Sequence, residues 1–224
     1  MRFRIVIFTF CFVLSCARVA AVPPSTRVVF FGDSITEIGV RQGGYIQRMQ
    51  TILSERGLSD RFELMGAGVS GDKIYDLYLR LEDDVFARNP QVVVVWVGVN
   101  DVWHKQIHNT GTDAVKFKRF YVALIRKLQA RNMRVILVTP MGVGEKRNLA
   151  NPLDQELDQY SALIRDLAVQ YHCDLVDMRA AFLKYVGSHN PLDRESGILT
   201  YDRVHPNDTG NQFVANEMLR VLLR

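Results

Sequence analysis

The chain predicts an α/β fold: a parallel, five-stranded sheet with helices on both faces. Three observations carry this. Five short apolar runs alternate with amphipathic helical patterns along the chain. The middle run, Val92-Val93-Val94-Val95-Trp96-Val97, is apolar at every position, as a central strand covered on both sides must be. Polar, glycine-bearing segments follow the first three runs, where open parallel sheets bind their ligands.

The elements follow in order. Residues 27–31 form the first strand, ending at Gly32-Asp33-Ser34. A helical pattern covers 45–56, and 62–65 form a short second strand. Residues 73–81 are helical and 91–97 form the third strand. In the helix predicted over 113–131, Phe117, Tyr121, Leu124, Ile125 and Leu128 make a broad apolar stripe opposite basic residues. A fourth strand spans 134–139, a helix 152–171 and a fifth strand 174–176. The last helix, 207–223, starts at Asn207, a good N-cap just after Pro206, which blocks earlier helix.

The N-terminus is of another kind. Arg2 and Arg4 precede an uncharged run of ten residues, 5–14, half of the roughly 20 that span a bilayer. A basic start, a short apolar core and small residues after it describe an export signal. Val19-Ala20-Ala21 suits cleavage after Ala21, which makes 1–21 a signal peptide and 22–224 a single domain. Val13-Leu14-Ser15-Cys16 resembles a lipoprotein box; in that case 1–15 are lost and a lipidated Cys16 is the membrane anchor. Either way the expected localisation is outside the cytoplasm: periplasmic, secreted or anchored. The full chain of 224 residues carries a formal charge of +4. Losing residues 1–21 removes Arg2, Arg4 and Arg18 and no acid, leaving +1, which gives no case for a nucleic-acid partner. Cys11 and Cys16 lie in the leader, so Cys173 is the one cysteine of the main domain and is expected to pack as a small hydrophobe.

Four motif blocks carry chemistry. They are Gly32-Asp33-Ser34, Gly68-Val69-Ser70-Gly71-Asp72, Gly98-Val99-Asn100-Asp101 and Asp202-Arg203-Val204-His205-Pro206-Asn207. A serine hydroxyl is a weak nucleophile until a base takes its proton during attack. An imidazole, with an unperturbed pKa of about 6.5, suits that task. Asp202, three residues before His205, is close enough in a tight turn to orient the ring and stabilise its protonated form.

In their order, these blocks resemble the SGNH (GDSL-type) esterase and lipase superfamily, over residues 28 to about 223. The resemblance implies a three-layer αβα sandwich with a flavodoxin-like sheet, and a Ser34–His205–Asp202 triad. It also implies an oxyanion hole made of the Ser34 and Gly71 backbone N–H groups and the Asn100 side-chain amide, with no cofactor and no metal. Two departures stand out: Ile35 replaces the leucine of the family's name, and Gly66 stands where the second block usually opens with asparagine.

Plainer readings exist for each residue. Ser34 alone also reads as a helix N-cap, Asn100 as a turn residue, and Asp33, Asp72 and Asp101 as structural hydrogen-bonders. His104 and His108 have the i,i+4 spacing of a helical metal pair but no evident third ligand. Trp103 and His104 read as pocket lining or as surface loop, His172 and His189 as surface residues. A pocket is expected from residues 40–45, 102–111, 141–151 and 187–200, whose Arg41, Glu145 and Arg147 favour a polar substrate.

The resulting expectation is a serine esterase acting on small-acyl, chiefly acetyl, esters of carbohydrates. The alternatives are a lysophospholipase or thioesterase acting on lipid acyl esters, and a non-catalytic carbohydrate- or lipid-binding module. A nucleotide- or flavin-binding domain is disfavoured, because the loop after the first strand has one glycine and two acids where phosphate needs donors.

Overall fold

The computed structural model describes residues 25–224; the expected leader, with Cys11, Cys16 and both candidate processing sites, falls outside them. Strands β1 (Thr26–Gly32), β2 (Phe62–Gly68), β3 (Val92–Trp96), β4 (Arg134–Val138) and β5 (Asp174–Val176) pair in parallel in the order β2-β1-β3-β4-β5. This is the flavodoxin-like order, and its switch point lies between β1 and β3. The expected α/β class and parallel sheet are what the chain forms.

Side-chain alternation divides the core into two layers. Val29, Phe31, Val93, Val95 and Leu137 point to one face, against α3 (Ile74–Leu79), α6 (Ala114–Gln129) and α7 (Asp154–Gln170). Val28, Phe30, Val94, Trp96 and Ile136 point to the other, against α2 (Tyr45–Glu55), α8 (Met178–His189) and α9 (Asp208–Leu222). Successive strand residues face opposite ways, so a strand apolar throughout fills both layers. Arg134 ties the layers at the lower edge: its Nε donates to Asp174 at 2.7 Å, and its terminal nitrogens cap the Val221 and Leu222 carbonyls at the end of α9.

Three helices lie where no helix was expected: α1 (Ser34–Gly39), α5 (Val99–Ile107) and α8. Asn100 and Asp101 therefore sit in the first turn of α5. The helix predicted over 73–81 is broken into α3 and α4 (Leu81–Asp84) at Arg80. The Arg80 guanidinium turns back to the Ala67 and Gly32 carbonyls and to Asp72. β2 runs three residues beyond its predicted end, because Gly66-Ala67-Gly68 stay in register with Phe30-Phe31-Gly32. At Gly66, Arg88 donates to the carbonyl at 2.9 Å, and Val40 fills the space that a side chain would need.

The ends of β1 and β2 pack backbone against backbone. A Cβ on Gly68 would lie 2.1 Å from the Glu37 nitrogen and 2.6 Å from the Asp33 carbonyl oxygen. Gly68→Ala is therefore expected to push α1 off its seat. Overpacking of this kind costs about 1–3 kcal/mol. Thermal unfolding should show a fall in Tm of roughly 2–4 °C per kcal/mol for a chain of this size.

Candidate active site

β1 delivers Ser34. The strand ends at Gly32, and Asp33 caps α1, its carboxylate accepting from the Ile35 N–H at 3.0 Å. Ser34 is the first residue of that helix and is half-buried. The cap that the sequence also allowed for Ser34 is thus made by Asp33, which leaves the serine hydroxyl free for another partner. That partner is His205, whose Nε2 lies 2.9 Å from Ser34 Oγ, although the two residues are 171 positions apart.

His205 and Asp202 share one tight loop. Thr200 and Pro206 form an antiparallel bridge, Tyr201 N donates to the His205 carbonyl, and Asn207 N donates to the Leu199 carbonyl. Arg203 turns the tip with φ +80°. Asp202 Oδ1 accepts the backbone N–H groups of Val204 and His205, and Oδ2 lies 2.6 Å from His205 Nδ1. Partial burial alone would raise the Asp202 carboxyl pKa. The bonds from the His205 ring and from the two backbone N–H groups outweigh it and hold the group below the usual carboxylate range. Tyr201 stacks beside the imidazole, with ring centroids 5.8 Å apart.

Glu145 anchors this loop. Its carboxylate is fully buried and accepts the N–H groups of Ile198, Leu199 and Thr200 and the Thr200 hydroxyl, at 2.6–2.9 Å. The sequence placed Glu145 in the pocket as a polar wall. It is instead a structural acceptor, because four donors converge on it from the loop that carries Asp202 and His205.

Three further donors stand at the ends of adjacent strands. Among the described residues, neither the Ser34 N–H nor the Gly71 N–H meets an acceptor. Gly71 adopts φ +85°, a conformation that a side chain would strain. Asn100 is buried and donates one amide hydrogen to the Asp72 carbonyl at 3.1 Å, which leaves its second hydrogen unspent. An ester carbonyl attacked by Ser34 needs donors of this kind already in place.

His104 faces the Gly71 turn; a Cβ on Gly71 would be 3.8 Å from His104 Cε1. It packs edge-to-face with His108 at 4.9 Å. Among the described residues, no group of three or more His, Cys, Asp or Glu gathers around a point that could hold a metal. Trp103 instead lines a groove of about 230 Å³, together with Ile107, Lys146, Asn151, Glu195 and Arg203. Three of the four expected pocket segments contribute to it. Residues 40–45 do not: Tyr45 is buried and bonds Thr36 through its hydroxyl. His172 and His189 are exposed, and Cys173 packs half-buried against the core, its thiol pKa pushed up to about 11 by burial.

Asp33 and Asp101 are buried carboxyls near the strand ends. Burial raises each to a pKa of about 7, against the opposing pull of the Ile35 N–H on Asp33. Both folded values lie above the ordinary one of 3.8, so the folded state binds more protons than the unfolded state between about pH 4 and 7. Stability from these groups is full below pH 4 and is lost as the pH rises through 7. Asparagine at position 33 keeps a capping oxygen and cannot ionise. Melting curves from pH 5 to 8 should therefore fall less steeply for Asp33→Asn than for the unsubstituted protein.

With this geometry in view, comparison with known proteins is direct. Residues 30–213 match the model of the GDSL-like Lipase/Acylhydrolase family. The crystal structure of an acetyl xylan esterase, AlAXEase, superposes with a TM-score of 0.86 at 56% identity, covering 87% of this chain and 98% of that one. Acetylxylan esterase of Geobacillus stearothermophilus is 28% identical over 213 residues, covering 87% of this chain and 92% of the relative. Platelet-activating factor acetylhydrolase IB subunit alpha1 of Rattus norvegicus is 28% identical over 200 residues, covering 88% and 75%. The match runs from β1 into α9 and takes in all four motif blocks, so the chain belongs to the GDSL-like lipase/acylhydrolase family of ester hydrolases.

Proposed function

We propose that the protein is a serine esterase that removes acetyl groups from carbohydrates, acetylated xylan and its oligosaccharides being the leading substrates. The observation that carries this reading is the hydrogen-bonded chain from Ser34 Oγ through His205 to Asp202. Similarity to acetylxylan esterases supports the acyl group and the sugar. The groove beside the loop of His205 supports a polar partner, since it combines a Trp103 ring with charged and amide groups.

Ser34 Oγ attacks the acetyl carbonyl while His205 Nε2 takes its proton. Asp202 stabilises the imidazolium through Nδ1. The oxyanion accepts from the Ser34 N–H, the Gly71 N–H and the second Asn100 amide hydrogen. His205 then protonates the departing sugar hydroxyl, and a water activated by the same ring releases acetate from Ser34. The basic, apolar start of the chain supports export, with cleavage after Ala21 or lipidation at Cys16. That would bring the enzyme to polymeric substrates outside the cell.

Hydrolysis of p-nitrophenyl esters from acetate to long acyl chains tests the reading. Acetate is expected to be the best substrate, with rate falling as the chain lengthens and no turnover by Ser34→Ala. Acetate release from acetylated xylan should follow the same pattern. A preference for long chains would move the substrate to lipids, and activity that survives Ser34→Ala would remove the serine mechanism. Asn100→Ala should lower kcat by about 10²–10³-fold, the usual cost of one oxyanion donor, with little change in KM.

A further inference from the structure

The turn that carries Gly71 is held at almost every polar atom. Glu37 accepts both the Ser70 N–H and the Ser70 hydroxyl, at 2.7 and 2.6 Å. Asp72 N–H donates to the Val69 carbonyl, the Asp72 carbonyl accepts from Asn100, and the Asp72 carboxylate accepts from Arg80 at 2.7 Å. Among the described residues from Val69 to Lys73, the Gly71 N–H is the one amide with no acceptor.

The Gly71 carbonyl oxygen is held by a lysine. Lys73 is only 7% exposed, and its ammonium donates to that oxygen at 3.0 Å. Buried lysines are rare because desolvating the charge is costly. The acid nearest its ammonium, Asp76, is farther away at 3.8 Å and is already engaged by the Lys73 backbone N–H. The ammonium's shortest polar contact is therefore the turn, with the ring of Tyr75 at 5.5 Å on another side. Its charge is felt across the turn: burial first, then Lys73 and His108, hold the His104 imidazole below its ordinary pKa.

We propose that Lys73 is a positioning residue for the oxyanion turn: its ammonium pins the Gly71 carbonyl, aims the free Gly71 N–H at the reacting ester, and sets a fixed positive charge behind the developing oxyanion. This rests on the esterase reading of Ser34 and Gly71. A neutral donor would pin the carbonyl without adding charge. A cation whose sole role was to pair with Asp76 would sit closer to that carboxylate.

The test is steady-state hydrolysis of p-nitrophenyl acetate by Lys73→Met, Lys73→Gln and Lys73→Arg, beside Ser34→Ala. Lys73→Met should lose about tenfold or more in kcat, with KM held within about threefold, because the interaction grows in the transition state. Lys73→Arg should recover most of that loss. Lys73→Gln, which keeps a donor but no charge, should fall between them, and it serves in place of Lys73→Met if that variant fails to fold. The His104 titration, followed by NMR, should move up in Lys73→Met and Lys73→Gln but not in Lys73→Arg. A folded Lys73→Met that keeps kcat within about twofold overturns the proposal, as does a loss that arginine fails to rescue. Full activity in Ser34→Ala would instead overturn the esterase reading, and this assignment with it.

Discussion

The pairing of Gly32 with both Gly68 and Trp96 aligns the ends of three parallel strands on one row. The groups read here as chemical follow that row by two to four residues. Ser34 comes two after Gly32, Gly71 three after Gly68 and Asn100 four after Trp96. Backbone pairing is rigid on this scale, so the row fixes where the three segments start. A bulkier residue at Gly68 would part β2 from α1, since a Cβ there would overlap Glu37 and Asp33. Short polar bonds then carry the alignment outward. Arg80 joins the Gly32 and Ala67 carbonyls to Asp72, and Glu37 joins α1 to Ser70.

His205 and Asp202 are held by other means. No strand of the sheet reaches them; they ride on the loop before α9. Glu145 replaces sheet pairing there as a buried acceptor for three consecutive N–H groups. A charged acceptor makes stronger hydrogen bonds than a neutral one, and in a buried site nothing competes with them. Two anchoring schemes thus meet at the 2.9 Å contact between His205 and Ser34.

Much of this was legible from residue order. The five strands and most of the helices follow from apolar periodicity and the first three motif blocks from where polar residues interrupt it, whereas the set of four was read through its resemblance to a known family. The N-cap at Asn207 was visible and is formed, its side chain accepting from the Gly210 N–H. What escaped has physical reasons. α1 has six residues, too few to show a period, and α5 opens with Gly98-Val99-Asn100-Asp101, which reads as turn. α8 buries Met178, Phe182 and Val186, a stripe one residue wide that gives little amphipathic signal. Glu145 looked like a pocket acid because its partners lie more than fifty positions away and are backbone groups, which no residue pattern displays.

The loop that carries both Asp202 and His205 has a consequence for how such an enzyme can diversify. Asp202 and His205 keep their 2.6 Å spacing through contacts within the loop, but the loop itself is seated on the segment after β4, through Glu145 and through the Gly144 N–H, which donates to the Arg203 carbonyl. The groove is drawn from α5, the segment after β4, the run around Glu195 and Arg203 of the loop itself. Exchanges at rim positions such as Ile107, Lys146 and Glu195 can reshape what is admitted, whereas Glu145 and Asn100, on the same stretches, have to stay. A scaffold in which anchor and rim interleave in this way can change its substrate tastes by single exchanges more readily than by insertions.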